Sequence, residues 1–327
     1  MSPRSEVQCT VVIVNWNGLE HLPCCLGSLQ NQTFPDFKVL LVDNGSTDDS
    51  VAWVGREFPE VSVLRLQQNL GFAAANNRAL QLCDTPWVAL LNNDTEAAPT
   101  WLQALMDAAA HHSEASFFAS QVRLFDRRDL LDSAGDGLPV AGAAFKIGHL
   151  RPARLYDQPR LVFGASAAAA LYDAQMLREL GGFDEDFFCI YEDADLSLRA
   201  QLRGYCCLYV PGAVVYHKVN STLRRDLRQA VFYSQRNAEW LVWKNLPSPL
   251  LWKYLPQRLA YWTVSLLYFA CRGRLLVFLH AKRAAWTARG KVRAKRAAVQ
   301  QRRKVSHQYI NSLLEPKWLR TRLAGKI

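Results

Sequence analysis

Two clusters of residues in this 327-residue chain have the types and spacing to do chemistry. In the stretch WVALLNNDTE, residues 87–96, the apolar Val88, Ala89, Leu90 and Leu91 run directly into Asn92, Asn93 and Asp94. Amides and a carboxylate are costly to bury without partners, so either the chain turns there or something binds. In the stretch FDEDFFCIYEDADLSLRAQL, Glu192, Asp193 and Asp195 crowd the first turn of a predicted helix. Carboxylates favour a helix N-terminus in any case, and for Asp195 that account and a site role are equally open. Glu192 and Asp193 directly follow the aromatic Phe187, Phe188 and Tyr191, which implies that they project from a partly buried loop. A helix N-terminus keeps such a carboxylate ionised, which suits a general base and not a general acid. His217 ends an apolar run. A lone histidine is more often structural than a ligand, so it matters beside Asp94 only if both strands end at one site.

The elements that must position these groups alternate along the first hundred residues. TVVIVNW is followed by a helix over about 19–30, FKVLLVD by a helix over 50–58, VSVLRL by a helix over 72–82, and then comes WVALLN. Continuous apolar strands, each followed by a helix, are the signature of a sheet covered on both faces. The fold class is therefore α/β, a Rossmann-like, doubly wound and mostly parallel sheet. Ligands of such sheets sit beyond the carboxyl ends of the strands. Here those ends carry Asn15-Trp16-Asn17-Gly18, Asp43-Asn44-Gly45, Asn69-Leu70-Gly71 and Asn92-Asn93-Asp94. Turn chemistry explains any one of them. Four on one edge, with ordinary linkers on the other, point to a polar small-molecule site. Both common Gly-rich phosphate loops are missing, so a bound nucleotide needs its phosphates neutralised another way, and a carboxylate-held metal ion is the obvious candidate.

Beyond residue 100 the pattern predicts a helix over about 100–110 and the strand SFFASQVRLF. The Gly/Ala/Asp-rich stretch 132–144 reads as a mobile lid loop. After it come a strand, a helix capped by Gly181-Gly182, the acidic loop, a helix over 192–202 and a strand pair ending at His217.

Taken in order, VVIVNWNG, LLVDNGSTDDS, NLGFAAANN, ALLNND, residues 164–205 and VVYH resemble a family 2 glycosyltransferase of the GT-A fold, of the bacterial rhamnosyltransferase type. The likeness spans roughly residues 10–217. It implies that Asp43 contacts the nucleotide base, that Asn15 and Asn17 line the first loop, and that Asn69, Gly71 and Arg78 continue the donor pocket. Asn92 and Asn93 precede Asp94 at the position of the DXD motif. One carboxylate in place of two would then hold Mg²⁺ or Mn²⁺ together with the diphosphate oxygens, with His217 as the further metal ligand. Asp193 falls on the catalytic base, with Glu192 beside it. The implied reaction is inverting transfer of a sugar to a saccharide or polyprenyl-linked acceptor in cell-envelope polysaccharide synthesis. Rhamnose from dTDP-rhamnose fits the resemblance first and a UDP-sugar next. Two other classes are a nucleotide-binding module, which does not require Asp193 near the donor, and a nucleotidyltransferase, whose Gly-rich basic triphosphate loop is not found.

The net charge of +10 is unevenly spread: residues 1–239 hold 20 Lys and Arg against 28 Asp and Glu, whereas residues 240–314 hold 15 and no acid. That divides the chain into a catalytic unit over 1–240, with a donor half to about 125 and an acceptor half beyond, and a basic, aromatic helical extension over 241–327. In LLWKYLPQRLAYWTVSLLYFACRGRLLVFLHA, residues 250–281, the longest uncharged run is 13 residues, short of the ~20 that a spanning helix needs. A membrane-surface helix with a polybasic flank is the expectation, beside a helical pair packed on the body. Nucleic acid is not expected, because no recognition motif accompanies the charge. The eight cysteines form no CxxC pair and read as reduced, mostly buried thiols. The N-terminus lacks the three regions of a signal peptide. A cytoplasmic protein, peripheral on the cytosolic face of the inner membrane, is expected.

Overall fold

The computed structural model describes residues 7–219 and 226–317. Residues 1–6, part of the stretch in which no signal peptide is expected, and the last ten residues of the basic extension lie outside the described residues. Strands β1 (Cys9–Asn15), β2 (Phe37–Asp43), β3 (Ser62–Arg65) and β4 (Trp87–Leu91) alternate with α1 (Leu22–Gln30), α2 (Ser50–Glu57) and α3 (Phe72–Leu80). All four strands pair in parallel, with Val12 opposite both Leu40 and Leu90. Their side chains alternate between two cores. Val12, Val42 and Leu90 pack with α3, while Val11, Ile13 and Leu91 pack with α1. Both faces are covered, which is why these strands read as unbroken apolar runs.

The chain continues through β5 (Thr95–Ala97), α4 (Trp101–His111), β6 (Ala115–Leu124), β7 (Leu131–Ser133), β8 (Asp136–Pro139), β9 (Phe145–Lys146), β10 (Arg160–Val162) and β11 (Ala169–Asp173). Then come α5 (Ala174–Leu180), α6 (Glu192–Leu202) and β12 (Cys206–His217). The main sheet runs β10-β12-β6-β11-β4-β1-β2-β3. β11 lies antiparallel between β4 and β6, and β12 runs parallel to β6. Gly181, at φ 73°, ends α5 in the left-handed cap that glycine tolerates best.

Two expectations are corrected. The strand pair before His217 is a single 12-residue strand, whose register against β6 shifts between Val210 and Val214. Pro211 and Gly212 occupy the shift, because proline offers no ladder N–H and glycine accepts the bend. The stretch 132–144 is also not an open loop. It forms β7 and β8, and Asp132, Asp136 and Leu138 within it are buried. Its acids disguised it, since their partners come from distant parts of the chain.

The C-terminal part is helical: α7 (Leu227–Asn245), α8 (Ser248–Lys253), α9 (Leu255–Cys271), α10 (Leu275–Thr287), α11 (Arg289–Gln301) and α12 (His307–Leu313), closing with β13 (Leu314–Glu315) against β8. Asp226 caps α7 by accepting from the N–H groups of Arg228 and Gln229. Leu241, Val242, Leu246 and Ile310 share a core with Phe187, Leu198 and Leu202, so these helices pack on the body. Asp195 joins the two parts. It is fully buried, accepts from Arg199 Nε at 2.8 Å and Asn245 Nδ2 at 2.7 Å, and pairs with Lys244. Of its two readings the structural one holds, through buried ion pairs more than through the helix terminus. Removing one partner of a buried charge network typically costs ~3–5 kcal/mol. Asp195→Ala, which takes from Arg199 its carboxylate and leaves Lys244 with Asp184 alone, is expected to lose stability on that scale in a urea or thermal unfolding titration.

Candidate active site

The four strand ends meet at a cleft of about 860 Å³. That volume lies in the range of small-molecule sites. Its walls include Asn44, Asn69, Gly71, Asn92, Asn93 and Asp94 from the strand ends, with Asp136, Lys146, Glu192, Asp193 and His217 from the second half.

Asn44, which the sequence did not single out, staples two of these loops. Its Nδ2 donates to Asn69 Oδ1 at 3.0 Å and to the Gly71 carbonyl at 3.3 Å, and its Oδ1 accepts from Leu70 N at 2.9 Å. Gly71 has φ 84°, and a Cβ there would lie 2.6 Å from the Phe188 carbonyl oxygen. Glycine is thus what lets the acidic loop close on the start of α3.

Three expected donor residues face elsewhere. Asn15 is completely buried, donates to Ser50 Oγ at 3.0 Å and accepts from Asn93 Nδ2 at 2.8 Å. Asn17 Oδ1 accepts from the Thr47 N–H at 2.7 Å and clamps the loop after β1 to the loop after β2. Arg78 points away from the cleft and donates to Glu185 at 3.3 Å. A short polar side chain beside two loops satisfies backbone donors first, and a residue two turns into α3 has rotated off the sheet edge. Asp43 is different. It is buried at the end of β2, and its Oδ1 has no hydrogen-bond partner. Such an atom is costly to leave unpaired, and a ligand N–H would complete it.

Asp94 and His217 do meet. β5 begins immediately after Asp94 and pairs antiparallel with the end of β12, setting Thr95 opposite His217. His217 Nε2 then lies 3.2 Å from Asp94 Oδ1, and Nδ1 lies 3.0 Å from Asp132 Oδ2. Asp132 is itself held by Lys146 Nζ at 2.7 Å and by His149. Burial opposes the charged imidazole, but the hydrogen bonds of Asp132 and Asp94 prevail and lift His217 to about 9. Burial also works against the Asp132 carboxylate, and Lys146 with the two histidines holds it well below the usual range.

The remaining carboxylates shift the other way. Burial, then the neighbouring Asp193, pushes Glu192 well above the ordinary range, and its Oε2 has no partner. Burial and Asp193 do the same to Asp136, another group the sequence did not single out. Asp193 is raised by burial too, against the pull of the backbone N–H groups of Ala167 at 3.3 Å and Ala194 at 2.7 Å and of Lys146. The helix terminus therefore does not by itself set the charge here, because desolvation exceeds it. Of these three carboxylates, Asp193 is the one that accepts from the backbone N–H groups of two other residues, and these work against its burial.

No cluster of three His, Cys, Asp or Glu side chains suited to a metal ion occurs among the described residues. Once Nε2 of His217 gives up its proton, Asp94 and His217 fit a divalent ion that draws its remaining ligands from a substrate. Two adjacent ligands of an octahedral ion at ~2.1 Å stand about 3 Å apart, close to the observed separation, and Mg²⁺ is commonly held by one or two protein groups plus phosphates.

Residues 10–181 match the Glycosyl transferase family 2 profile, and the chain belongs to that family. It is 30% identical over 273 residues to the N-acetylglucosaminyl-diphospho-decaprenol L-rhamnosyltransferase of Mycobacterium tuberculosis, covering 74% of this chain and 87% of that protein. The fold is that of GT-A glycosyltransferases. A mannosyltransferase from Pyrobaculum calidifontis, solved with GDP-mannose and Mn²⁺, superposes with a TM-score of 0.54 at 17% identity over 95% of this chain and 84% of that one. GalNAc-T7, solved with UDP, GalNAc and Mn²⁺, superposes with a TM-score of 0.55 at 16% identity over 74% of this chain, which spans about half, 51%, of that one.

Scaffold and ligand contacts separate by mutation. Asn15→Ala should lower stability by about 1–3 kcal/mol, since it orphans buried partners. Asp43→Ala should leave the unfolding midpoint nearly unchanged while weakening nucleoside diphosphate binding, read by calorimetric titration.

Proposed function

We propose that this glycosyltransferase is an inverting enzyme that moves a sugar from a nucleoside diphosphate donor to a saccharide on a polyprenyl lipid. The observation that carries the reading is the assembly of Asp94, His217 and Asp193 around one cleft. Asp43, with its unpaired buried oxygen, takes the nucleotide base, and Asn69, Gly71, Asn92 and Asn93 with Asn44 wall the donor. Asp94 and His217 would hold Mg²⁺ or Mn²⁺, which when bound neutralises the leaving diphosphate. Both solved relatives named above contain Mn²⁺, which supports a divalent ion.

Asp193 is the base. It takes the proton of the acceptor hydroxyl as that oxygen bonds to the anomeric carbon. The bond from that carbon to the diphosphate oxygen breaks, and its electron pair leaves with the nucleoside diphosphate. Attack from the side opposite the leaving group inverts the anomeric centre. The upward push is stronger on Glu192 than on Asp193, which supports giving the base role to Asp193. dTDP-rhamnose is the favoured donor, with a UDP-sugar next; the name of the mycobacterial relative supports rhamnose as the sugar. The same name supports a lipid-linked saccharide acceptor, and the proposed place of work is the cytosolic face of the membrane that carries such a lipid. No described helix is long and apolar enough to cross a membrane.

The test is release of nucleoside diphosphate from a panel of nucleotide sugars, with Mg²⁺ or Mn²⁺, with and without lipid-linked acceptor. Acceptor-dependent release is expected; pyrophosphate instead would mean nucleotidyl transfer. Asp193→Asn should keep nucleoside diphosphate binding and lose more than about a hundredfold in turnover. Glu192→Gln, which preserves the shape of the side chain, should stay within about tenfold of the parent. The reverse pattern would move the base to Glu192.

The pH dependence follows from the same groups. Because the Asp193 pKa is raised above 3.8, the acid limb of kcat/KM should lie above that value, with activity lost as pH falls through it. A limb at or below the ordinary carboxylate value contradicts this.

A further inference from the structure

α9 is turned inside out for a helix in water. Its buried stripe is Arg258, Tyr261, Ser265 and Phe269, the first three of them polar. Glu239 of α7 receives Arg258 at 3.0 Å, Lys282 of α10 at 2.7 Å and the Trp262 indole N–H at 2.6 Å. The outward positions are apolar: Leu259 is 57% exposed, Leu267 60%, and on α10 Leu276 is 81% and Trp286 68%. No charged side chain appears on α9 after Arg258 until Arg272 at its end. Soluble helices place their apolar stripe inward and their polar face outward. Scattered exposed leucines need no explanation, but a contiguous apolar face marks an interaction surface.

We infer that the outer face of the α9–α10 hairpin docks in the plane of an anionic lipid bilayer. The inward charges fix which face is free: Glu239, Arg258 and Lys282 are all buried, so the hairpin cannot roll over without stranding them. α9 has 17 residues, about 25 Å at 1.5 Å per residue and short of the ~30 Å hydrocarbon core, so it lies along the surface. The rim supplies the charge complement. Arg272, Arg283 and Arg289 are exposed around the apolar face, within a segment, 240–314, that has 15 cations and no acid. A second copy of this chain would set that cationic rim against its own kind, whereas anionic headgroups complement it.

The geometry also connects the face to the cleft. The start of α7 lines the cleft with Gln229, Ala230 and Tyr233, and α10 packs on the same helix, with the Phe232 and His280 rings 5.1 Å apart. Docking therefore holds the cleft one helix away from the bilayer. This deepens the lipid-linked acceptor reading and rests on it for its purpose, but the binding itself does not depend on the chemistry.

The experiment is flotation of the full chain with vesicles of phosphatidylcholine alone or mixed with phosphatidylglycerol, at low and high salt. The parent should float with the anionic vesicles, and less at high salt. Leu267→Glu with Leu276→Glu should weaken flotation by more than about tenfold while leaving the unfolding midpoint and nucleoside diphosphate binding unchanged. Arg272→Glu with Arg283→Glu, which spares the apolar face, should remove the preference for phosphatidylglycerol. Unaltered flotation of the leucine variant overturns the inference. So does a parent that never floats, or a leucine variant that only turns a dimer into a monomer on light scattering. Failure of sugar transfer in a parent that still floats instead counts against the proposed function and leaves the docking face standing.

Discussion

A three-residue antiparallel pairing between β5 and the end of β12 is the contact on which the site depends. Thr95, Glu96 and Ala97 lie opposite His217, Tyr216 and Val215, and the Lys218 N–H donates to the Asp94 carbonyl at 3.0 Å. Side chains alternate faces along a strand, so a slip of one residue would turn the His217 ring to the other side of the sheet. The register is secured further back. β12 first pairs with β6 through Val210, gains Pro211, Gly212 and Ala213, and resumes with Val214 opposite Gln121. That irregularity lets one strand serve β6 along its length and still deliver His217 beside Asp94.

The second half of the chain surrounds this pair with charge of two kinds. Asp132, ionised and held by Lys146, fixes His217 from its far nitrogen, the outer-shell arrangement that orients metal-binding histidines. Glu192 is pushed well above the ordinary range by burial and Asp193, and so is Asp136, where these outweigh Lys146. The cleft thus separates carboxylates by environment: Asp94 and Asp132 beside the histidine, Asp193 with N–H donors from two other residues, and Glu192 and Asp136 shifted well above the ordinary range. A bare diphosphate meets repulsion from the charged ones, whereas a cation–diphosphate complex meets complementarity.

The sheet and its polar edge were legible because strands covered on both faces must be apolar throughout, and the residues that follow them must turn. Glu192 at the first position of α6 was legible for the same local reason. What escaped was direction. Asn15 and Asn17 sit on the correct loop but turn toward Ser50 and Thr47, which composition cannot reveal. Asp132 and Asp136 escaped because Gly, Ala and Asp in sequence read as loop. Only folding brings Lys146 and His217 to neutralise Asp132 or sets Asp193 near Asp136. In the extension the apolar run was plain, yet its inverted orientation appears only once Glu239 is seen to claim the polar stripe of α9.

The central claim is that Asp94 and His217 form a half-site completed by the donor diphosphate. Its most direct measurement is Mn²⁺ affinity by electron paramagnetic resonance, with and without nucleoside diphosphate, for the parent and for His217→Ala. The account predicts weak binding by the protein alone, a rise of at least about tenfold with the diphosphate, and loss of most of that rise in the variant. Tight binding without diphosphate, or a rise that His217→Ala leaves intact, would contradict it.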